Sequence, residues 1–111
     1  MNNQIDPATL LKQEKTRLLS ENKSLINSYT LKHLKDSRGN LLPSIHEIKA
    51  VDGSTYIGNL EGNIKQGKGI YYYTNGDIYF GDWLNDSYHG TGSYIFKKGD
   101  RYDGELMNGV K

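Results

Sequence analysis

The stretch YIGNLEGNIKQGKGIYYYTNGDI, residues 56–78, runs directly into YFGDWLNDSYHGTGSYIFKKGDR, residues 79–101, and then into YDGELMNGVK, residues 102–111. Laid over one another, the three segments align Tyr56, Tyr79 and Tyr102 in one column and Gly58, Gly81 and Gly104 in another, at a spacing of 23 residues. Gly67 and Gly90, Gly69 and Gly92, Gly76 and Gly99, and Asp77 and Asp100 fall into step as well. A fixed period of this length means that each unit is one supersecondary element, stable only when stacked on its neighbours, and such arrays work as extended binding surfaces.

Each unit reads as a β-hairpin. Val51-Asp-Gly-Ser, Asn75-Gly76-Asp77 and Lys98-Gly99-Asp100 are turn signals flanked by alternating aromatic and β-branched residues. With a three-residue connection and the glycine in a left-handed bulge position, Tyr71 opposes Tyr79, Tyr94 opposes Tyr102, Gly69 opposes Gly81 and Gly92 opposes Gly104. Alternation then puts Gly69, Tyr71, Tyr73, Tyr79, Gly81 and Trp83 on one face, continued by Gly92, Tyr94 and Phe96. Bare glycine rows leave room for aromatic rings to lie flat across the backbone, so their placement has a packing reason and requires no catalytic one.

The chain divides near residue 45. Residues 1–50 hold eight Lys/Arg against five Asp/Glu, net +3, and residues 51–111 hold six against eight, net −2. Eight of the nine tyrosines, both phenylalanines and the single tryptophan lie in the second part. The first part, residues 1–44, reads as a helical arm and linker. Asp6 is an N-cap, Pro7 suits the first helical position, and Ile5 is placed to pack on Leu10. Leu11, Leu18 and Leu25 recur every seven residues, with Leu19 and Ile26 beside them. The stripe weakens at Tyr29 and Lys32, and the basic Lys32, His33 and Lys35 favour a helix end near residues 34–37 with Gly39 as the stop. Two arrangements are open: a short coiled coil with Asn22 at an inner position, or an amphipathic helix lying on its own sheet or on a partner. Lys15 at another inner position favours the second.

Several catalytic and cofactor signals fail. Gly62 to Lys68 matches the first seven positions of a phosphate-binding loop, but the eighth is Gly69 where magnesium needs Ser or Thr, and Ile70-Tyr-Tyr-Tyr is strand-forming where a helix must follow. His33, His46 and His89 lack a metal-ligand spacing, the acids Asp77, Asp82, Asp86 and Asp100 sit at turns rather than in a calcium loop, and no cysteine is present. No enzyme, cofactor or metal is expected. No segment is apolar and long enough to span a membrane. The N-terminus has no basic-then-apolar leader, and Asn22 and Asn85, each two residues before a serine, are read as chance glycosylation matches. These features fit an intracellular, reducing compartment.

The pattern YxGxW, an Asn/Asp-containing turn, GxG, an aromatic strand and GD resembles the MORN (membrane occupation and recognition nexus) repeat. The resemblance covers residues 54–111: two full repeats at 56–78 and 79–101, a partial one at 102–111, and a degenerate strand at 47–53 before them. It implies a mainly β fold, a single-layer antiparallel meander of stacked hairpins with a groove, behind the N-terminal helix. Leu60 and Leu106 stand where the pattern has Trp83, and His46 stands where it has glycine, marking an N-terminal boundary. The third repeat is cut short, leaving either a fragment or a strand edge for something else to pair with.

Proteins with such repeats serve as scaffolds in ciliary radial spokes and other cytoskeletal assemblies, as myosin-binding adaptors, and at membrane junctions. The resemblance therefore implies a scaffold that binds protein partners, in the cytoplasm, cytoskeleton or cilium. The residues expected to carry binding are Tyr71, Tyr73, Tyr79, Trp83, Tyr94, Phe96 and Tyr102 on the sheet, with a partner helix along the groove, and Leu11, Leu18 and Leu25 on the arm. Phospholipid head groups are the alternative partner, but Lys65, Lys68, Lys97, Lys98 and Arg101 are interrupted by acids, which also argues against nucleic acid. A single-layer sheet of this size exposes two sides and two edges, so something must cover it, whether the chain's own helix or a neighbour.

Overall fold

Asp6 and Pro7 begin the helix as their chemistry requires. In the computed structural model, which describes residues 6–106 apart from the side chains of Leu11 and Glu14, α1 (Pro7–His33) opens with the Asp6 carboxylate accepting the Thr9 N–H at 2.8 Å and the Thr9 hydroxyl at 3.0 Å. Ile5, expected to staple this end, lies outside the described residues. The helix closes at Leu34, whose N–H reaches the Thr30 carbonyl. Gly39 is not its stop. The Asp36 carboxylate accepts the N–H groups of Arg38 and Asn40 and so builds a separate turn, in which Gly39 sits at φ +84°.

The rest is one antiparallel meander, β1 (Ile45–Lys49), β2 (Thr55–Glu61), β3 (Ile64–Tyr72), β4 (Ile78–Leu84), β5 (Ser87–Ile95) and β6 (Arg101–Leu106), paired in chain order. The leading strand starts at Ile45, slightly before the expected residue 47. Tyr71 faces Tyr79, Gly69 faces Gly81, Tyr94 faces Tyr102 and Gly92 faces Gly104, the register the turn signals predict. In the three turns that precede β2, β4 and β6, Gly53, Gly76 and Gly99 sit at φ +96°, +99° and +108°. Within the repeats the turns are shorter: Gly62-Asn63 joins β2 to β3, and Asn85-Asp86, both at positive φ, joins β4 to β5 as a tight turn matched to strand twist.

The Tyr-x-Gly-Asn/Asp motif has a local cause. The β2–β3 register shifts between Gly58 and Leu60, and the β4–β5 register shifts between Gly81 and Trp83. A bulge leaves backbone groups without their ladder partners. At each one the tyrosine hydroxyl donates to the carbonyl three residues on, Tyr56 to Asn59 at 2.7 Å and Tyr79 to Asp82 at 2.8 Å. The same Asn59 and Asp82 accept the opposing N–H of Lys68 and Thr91 through their side chains, at 2.8 and 3.1 Å. Reaching that carbonyl draws the ring flat over the glycine column. A Cβ built on Gly69 would stand 2.5 Å from Cε1 of Tyr56, so only glycine fits.

The helix lies on the opposite face of the sheet, within the same chain. There Leu34, Ile45, Ile70, Phe80 and Ile95 form a buried cluster on which Ile26, Tyr29, Leu42 and Ile57 pack. The docking face is not the leucine heptad. Asn22, only 4% exposed, donates to the Gly99 carbonyl at 2.9 Å and accepts from Arg101 at 2.6 Å. The Tyr29 hydroxyl accepts the Gly69 N–H and donates to the Gly81 carbonyl, both at 2.9 Å, bridging β3 to β4. Leu18 is half-buried near Gly99, whereas Leu19 and Leu25 are exposed at 57% and 38%. The polar side chains dock because the sheet offers them backbone donors and acceptors, which a count of apolar residues does not register.

Candidate interaction surface

With one face under the helix, the other is built by the aromatic columns. Tyr56, Tyr79, Trp83, Tyr94 and Leu106 are buried there, and Leu60, Tyr71, Tyr73, Tyr88 and Tyr102 pack against them half-buried. Trp83 is the hub, with Tyr56 and Tyr79 edge-on to it at 5.4 and 5.2 Å between ring centres, the arrangement that ring quadrupoles favour. Its indole N–H donates to the Gly69 carbonyl at 3.1 Å. A second course of rings runs across the strands: Tyr71 to Tyr73 at 4.5 Å, Tyr73 to Tyr94 at 5.8 Å and Tyr94 to Phe96 at 4.9 Å.

The sheet residues singled out in the sequence therefore share one face but differ in access. Tyr79, Trp83 and Tyr94 are 0%, 5% and 9% exposed and form the floor, while Tyr71, Tyr73 and Tyr102 are half-buried and Phe96 is exposed. Burial raises the phenol pKa of Tyr56, Tyr79 and Tyr88, and Tyr94 is pushed up to about 12 by burial and by its bond to Asp77. All remain neutral hydrogen-bonding groups at physiological pH. On the arm, Leu18 and Leu25 stand as described above, and the Leu11 side chain is outside the described residues.

Two shallow depressions open on this face. One, about 250 Å³, is lined by Ile48, Tyr56, Leu60 and Tyr71; the other, about 300 Å³, by Tyr71, Tyr73, Trp83 and Tyr88. Lys65 borders both. Its ammonium lies 5.5, 5.6 and 5.9 Å from the ring centres of Tyr56, Tyr71 and Trp83 and 3.6 Å from the Asp86 carboxylate, a cation already satisfied by rings and an acid. Sequence reasoning noted Lys65 only as part of a charge tally; its spacing from the aromatic columns was the available signal.

The basic residues do not gather. Lys68 pairs with Asp82 and Arg101 with Asp103 on the helix side, and Lys97 lies at the β5–β6 turn, where its N–H bonds to the Asp77 carboxylate. The acids at the turns cap backbone: Asp86 accepts the Lys65 N–H and Asp77 that of Lys97, at 2.7 and 2.8 Å. The phosphate-loop-like segment is a turn running into β3, with no helix terminus behind it. His33 packs on Tyr29 in α1, while His46 and His89 lie on β1 and β5, and among the described residues no group of His, Cys, Asp or Glu is placed to hold a metal ion. No described helix is long and apolar enough to cross a membrane.

An open sheet of stacked two-stranded units, with the same Tyr-over-Gly packing in β2–β3 and β4–β5, defines a hairpin-repeat fold. Residues 56–78 and 79–101 each match the family model for the MORN repeat, so this part of the chain is a pair of MORN repeats. The family is a non-catalytic one whose repeats typically mediate protein or membrane interactions. No curated protein matches the chain.

Proposed function

We propose that the chain is a non-enzymatic scaffold subunit that binds protein partners through the aromatic face of its sheet, within a larger cytoskeletal or ciliary assembly. The observation that carries this reading is the asymmetry of the sheet: the chain's own helix covers one face, and the other presents Tyr71, Tyr73, Tyr102 and Phe96 over a rigid aromatic floor. Rings held in place by their neighbours offer contact area at little entropic cost, and an apolar stripe on a partner helix suits such a trough. The cytoskeletal or ciliary setting and an intracellular location follow from the resemblance alone.

Lipid head groups are the weaker reading, because Lys65, Lys68 and Arg101 are already paired with acids and leave Lys97 and Lys98 as a small basic spot. The full chain is tested for retention of its co-purifying proteins and for binding to vesicles containing anionic lipid at physiological salt. Tyr71→Ala and Tyr73→Ala are expected to lose the proteins while Lys97→Glu and Lys98→Glu keep them. Strong vesicle binding abolished by the two lysine variants would reverse the assignment.

A further inference from the structure

Lys65 stands 23 residues before Tyr88, so the two hold the same place in successive repeats. In the second repeat the Tyr88 ring closes over Tyr79 at 4.2 Å and meets Trp83 edge-on at 5.1 Å. In the first repeat a cation takes that place, its ammonium over Tyr56, Tyr71 and Trp83 and its side chain only 25% exposed. These three rings make a corner rather than a wall: Trp83 is inclined by 84° to Tyr56 and 38° to Tyr71, and Tyr56 by 48° to Tyr71. Asp86 closes another side, with its carboxylate 3.6 Å from the ammonium. It is anchored there by the main chain, accepting the Lys65 N–H and donating its own N–H to the Lys65 carbonyl. Lys65 also separates the two shallow depressions of this face, which share Tyr71. With its side chain swung aside they join into one opening onto Tyr56 and Trp83.

We propose that Tyr56, Tyr71, Trp83 and Asp86 form a cage for a methylated lysine of a protein partner, and that Lys65 is its internal stopper, displaced when that side chain enters. Rings and an acid converging on one point recognise organic cations. The fit to a bare ammonium is loose. A methyl carbon stands about 1.5 Å from its nitrogen and touches ring carbon at about 3.5–4.0 Å, so a methylated nitrogen seats roughly 5–5.5 Å from a ring. The Lys65 nitrogen, at 5.5, 5.6 and 5.9 Å from the three ring centres, therefore has room for a methyl group on each side. A flat guanidinium matches one ring face, whereas a rounded, methylated ammonium touches three inclined ones. Charge decides between entrants: a neutral side chain that displaces Lys65 leaves Asp86 without its cation, and an incoming cation replaces both the ring contacts and the ion pair.

This inference rests on the reading that the aromatic face binds proteins and names the chemistry that one point of it accepts. Trp83 is the single tryptophan of the chain, so its fluorescence reads the cage directly. The probes are acetylated, amidated trimethyl-lysine, the same molecule without its methyl groups, and its uncharged tert-butyl analogue, each titrated into the purified 111-residue chain and into Lys65→Ala. Trimethyl-lysine should bind Lys65→Ala about tenfold or more tighter than the parent, because the internal competitor is gone. The unmethylated and uncharged probes should bind Lys65→Ala about threefold or more weaker than trimethyl-lysine does. Adding Asp86→Asn should cost a further twofold, roughly, or more. Lys97→Glu, away from the cage, should change nothing. A second measurement needs no variant: in the parent chain the Lys65 ε-methylene protons, shielded by the rings, should move to the NMR position of a free lysine as tetramethylammonium is added. The probe assay uses the purified chain alone, so its failure and a failure to retain co-purifying proteins are read separately. Phosphatidylcholine vesicles carry the same headgroup chemistry and should not bind. No trimethyl-lysine binding to Lys65→Ala at tens of millimolar, equal binding of the three probes, an unmoved Lys65 signal, or vesicle binding that Asp86→Asn abolishes would each overturn the proposal, the last by assigning the cage to a lipid.

Discussion

Gly92→Ala isolates the ring-over-glycine lock, because Gly92 lies outside the left-handed region and its backbone accepts any residue. The added methyl would come within 2.6 Å of Cε1 and Cζ of Tyr79 and closer still to its hydroxyl oxygen. Tyr79 cannot yield cheaply: it is fully buried, packed on Tyr88 at 4.2 Å, and bonded to the Asp82 carbonyl. Displacing the ring costs about 1–3 kcal/mol of overpacking, and the lost hydrogen bond adds about 1 kcal/mol. The sum, about 2–4 kcal/mol, corresponds to a fall in Tm on the order of 10–25 °C for a domain of this size. Thermal and urea unfolding of Gly92→Ala, Tyr79→Leu and the double variant would measure it, with the alanine costing much less once the ring is shortened. Gly62→Ala is the control: nothing lies within 4 Å of its added carbon, so only its φ of +63° opposes it, at about 1–2 kcal/mol. A cost below about 0.5 kcal/mol for Gly92→Ala, or the same cost with and without the Tyr79 ring, would refute the lock.

Asn22→Ala should destabilise by about 1–3 kcal/mol, since it strands the buried Gly99 carbonyl and removes one of the partners of Arg101, which keeps Asp103, and hydrogen exchange should show α1 loosening before the sheet. Tyr29→Phe keeps the ring against Phe80 but removes the bridge between Gly69 and Gly81, for about 1–3 kcal/mol by urea unfolding; an unchanged midpoint would show the bridge to be idle. Gly76→Val places a β-branched residue at φ +99° with its Cβ 3.0 Å from Cγ of Lys97, and a loss of at least about 1–2 kcal/mol is expected by the same measurement. Stability should also fall above pH ~10. Burial raises the folded-state pKa of Tyr29, Tyr56 and Tyr79 above the usual 10.0, so their contribution is complete below that value. It is lost as pH rises from there toward the folded values, because the unfolded chain releases protons that the folded one keeps, by up to about 1.4 kcal/mol per tyrosine per pH unit. A urea midpoint that stays level from pH 9 to about 11.5 would contradict this.

The sheet was legible because its constraints repeat. A three-residue turn with a left-handed glycine fixes the strand register, and Tyr71 opposite Tyr79 follows from Asn75-Gly76-Asp77 alone. The helix was legible at its start, where Asp6 and Pro7 act locally, and illegible in its docking. Apolar periodicity ranks Leu19 and Leu25 above Asn22 and Tyr29, yet the first pair is exposed and the second holds the helix down through atoms whose partners are backbone groups some 40 to 77 residues away. Nor does alternation separate floor from rim: Tyr71 and Tyr79 face each other across strands, yet Tyr79, lying over Gly92, is buried and Tyr71 is half-open.

The two anchors of α1 bind to main-chain atoms, Asn22 to the carbonyl of Gly99 and Tyr29 to the N–H of Gly69 and the carbonyl of Gly81. Main-chain groups are present whatever side chains a strand carries. At Tyr29 the hydrogen bonds are thus indifferent to the identity of the residues beneath, so long as the strands keep their path, whereas Asn22 also takes a bond from the Arg101 side chain. The aromatic face is under the reverse rule, since its rings are held by one another. On the hidden side, substitutions that keep the volume of Ile70, Phe80 and Ile95 leave the main-chain anchors in place, whereas replacing one ring on the aromatic side disturbs the rings that hold it.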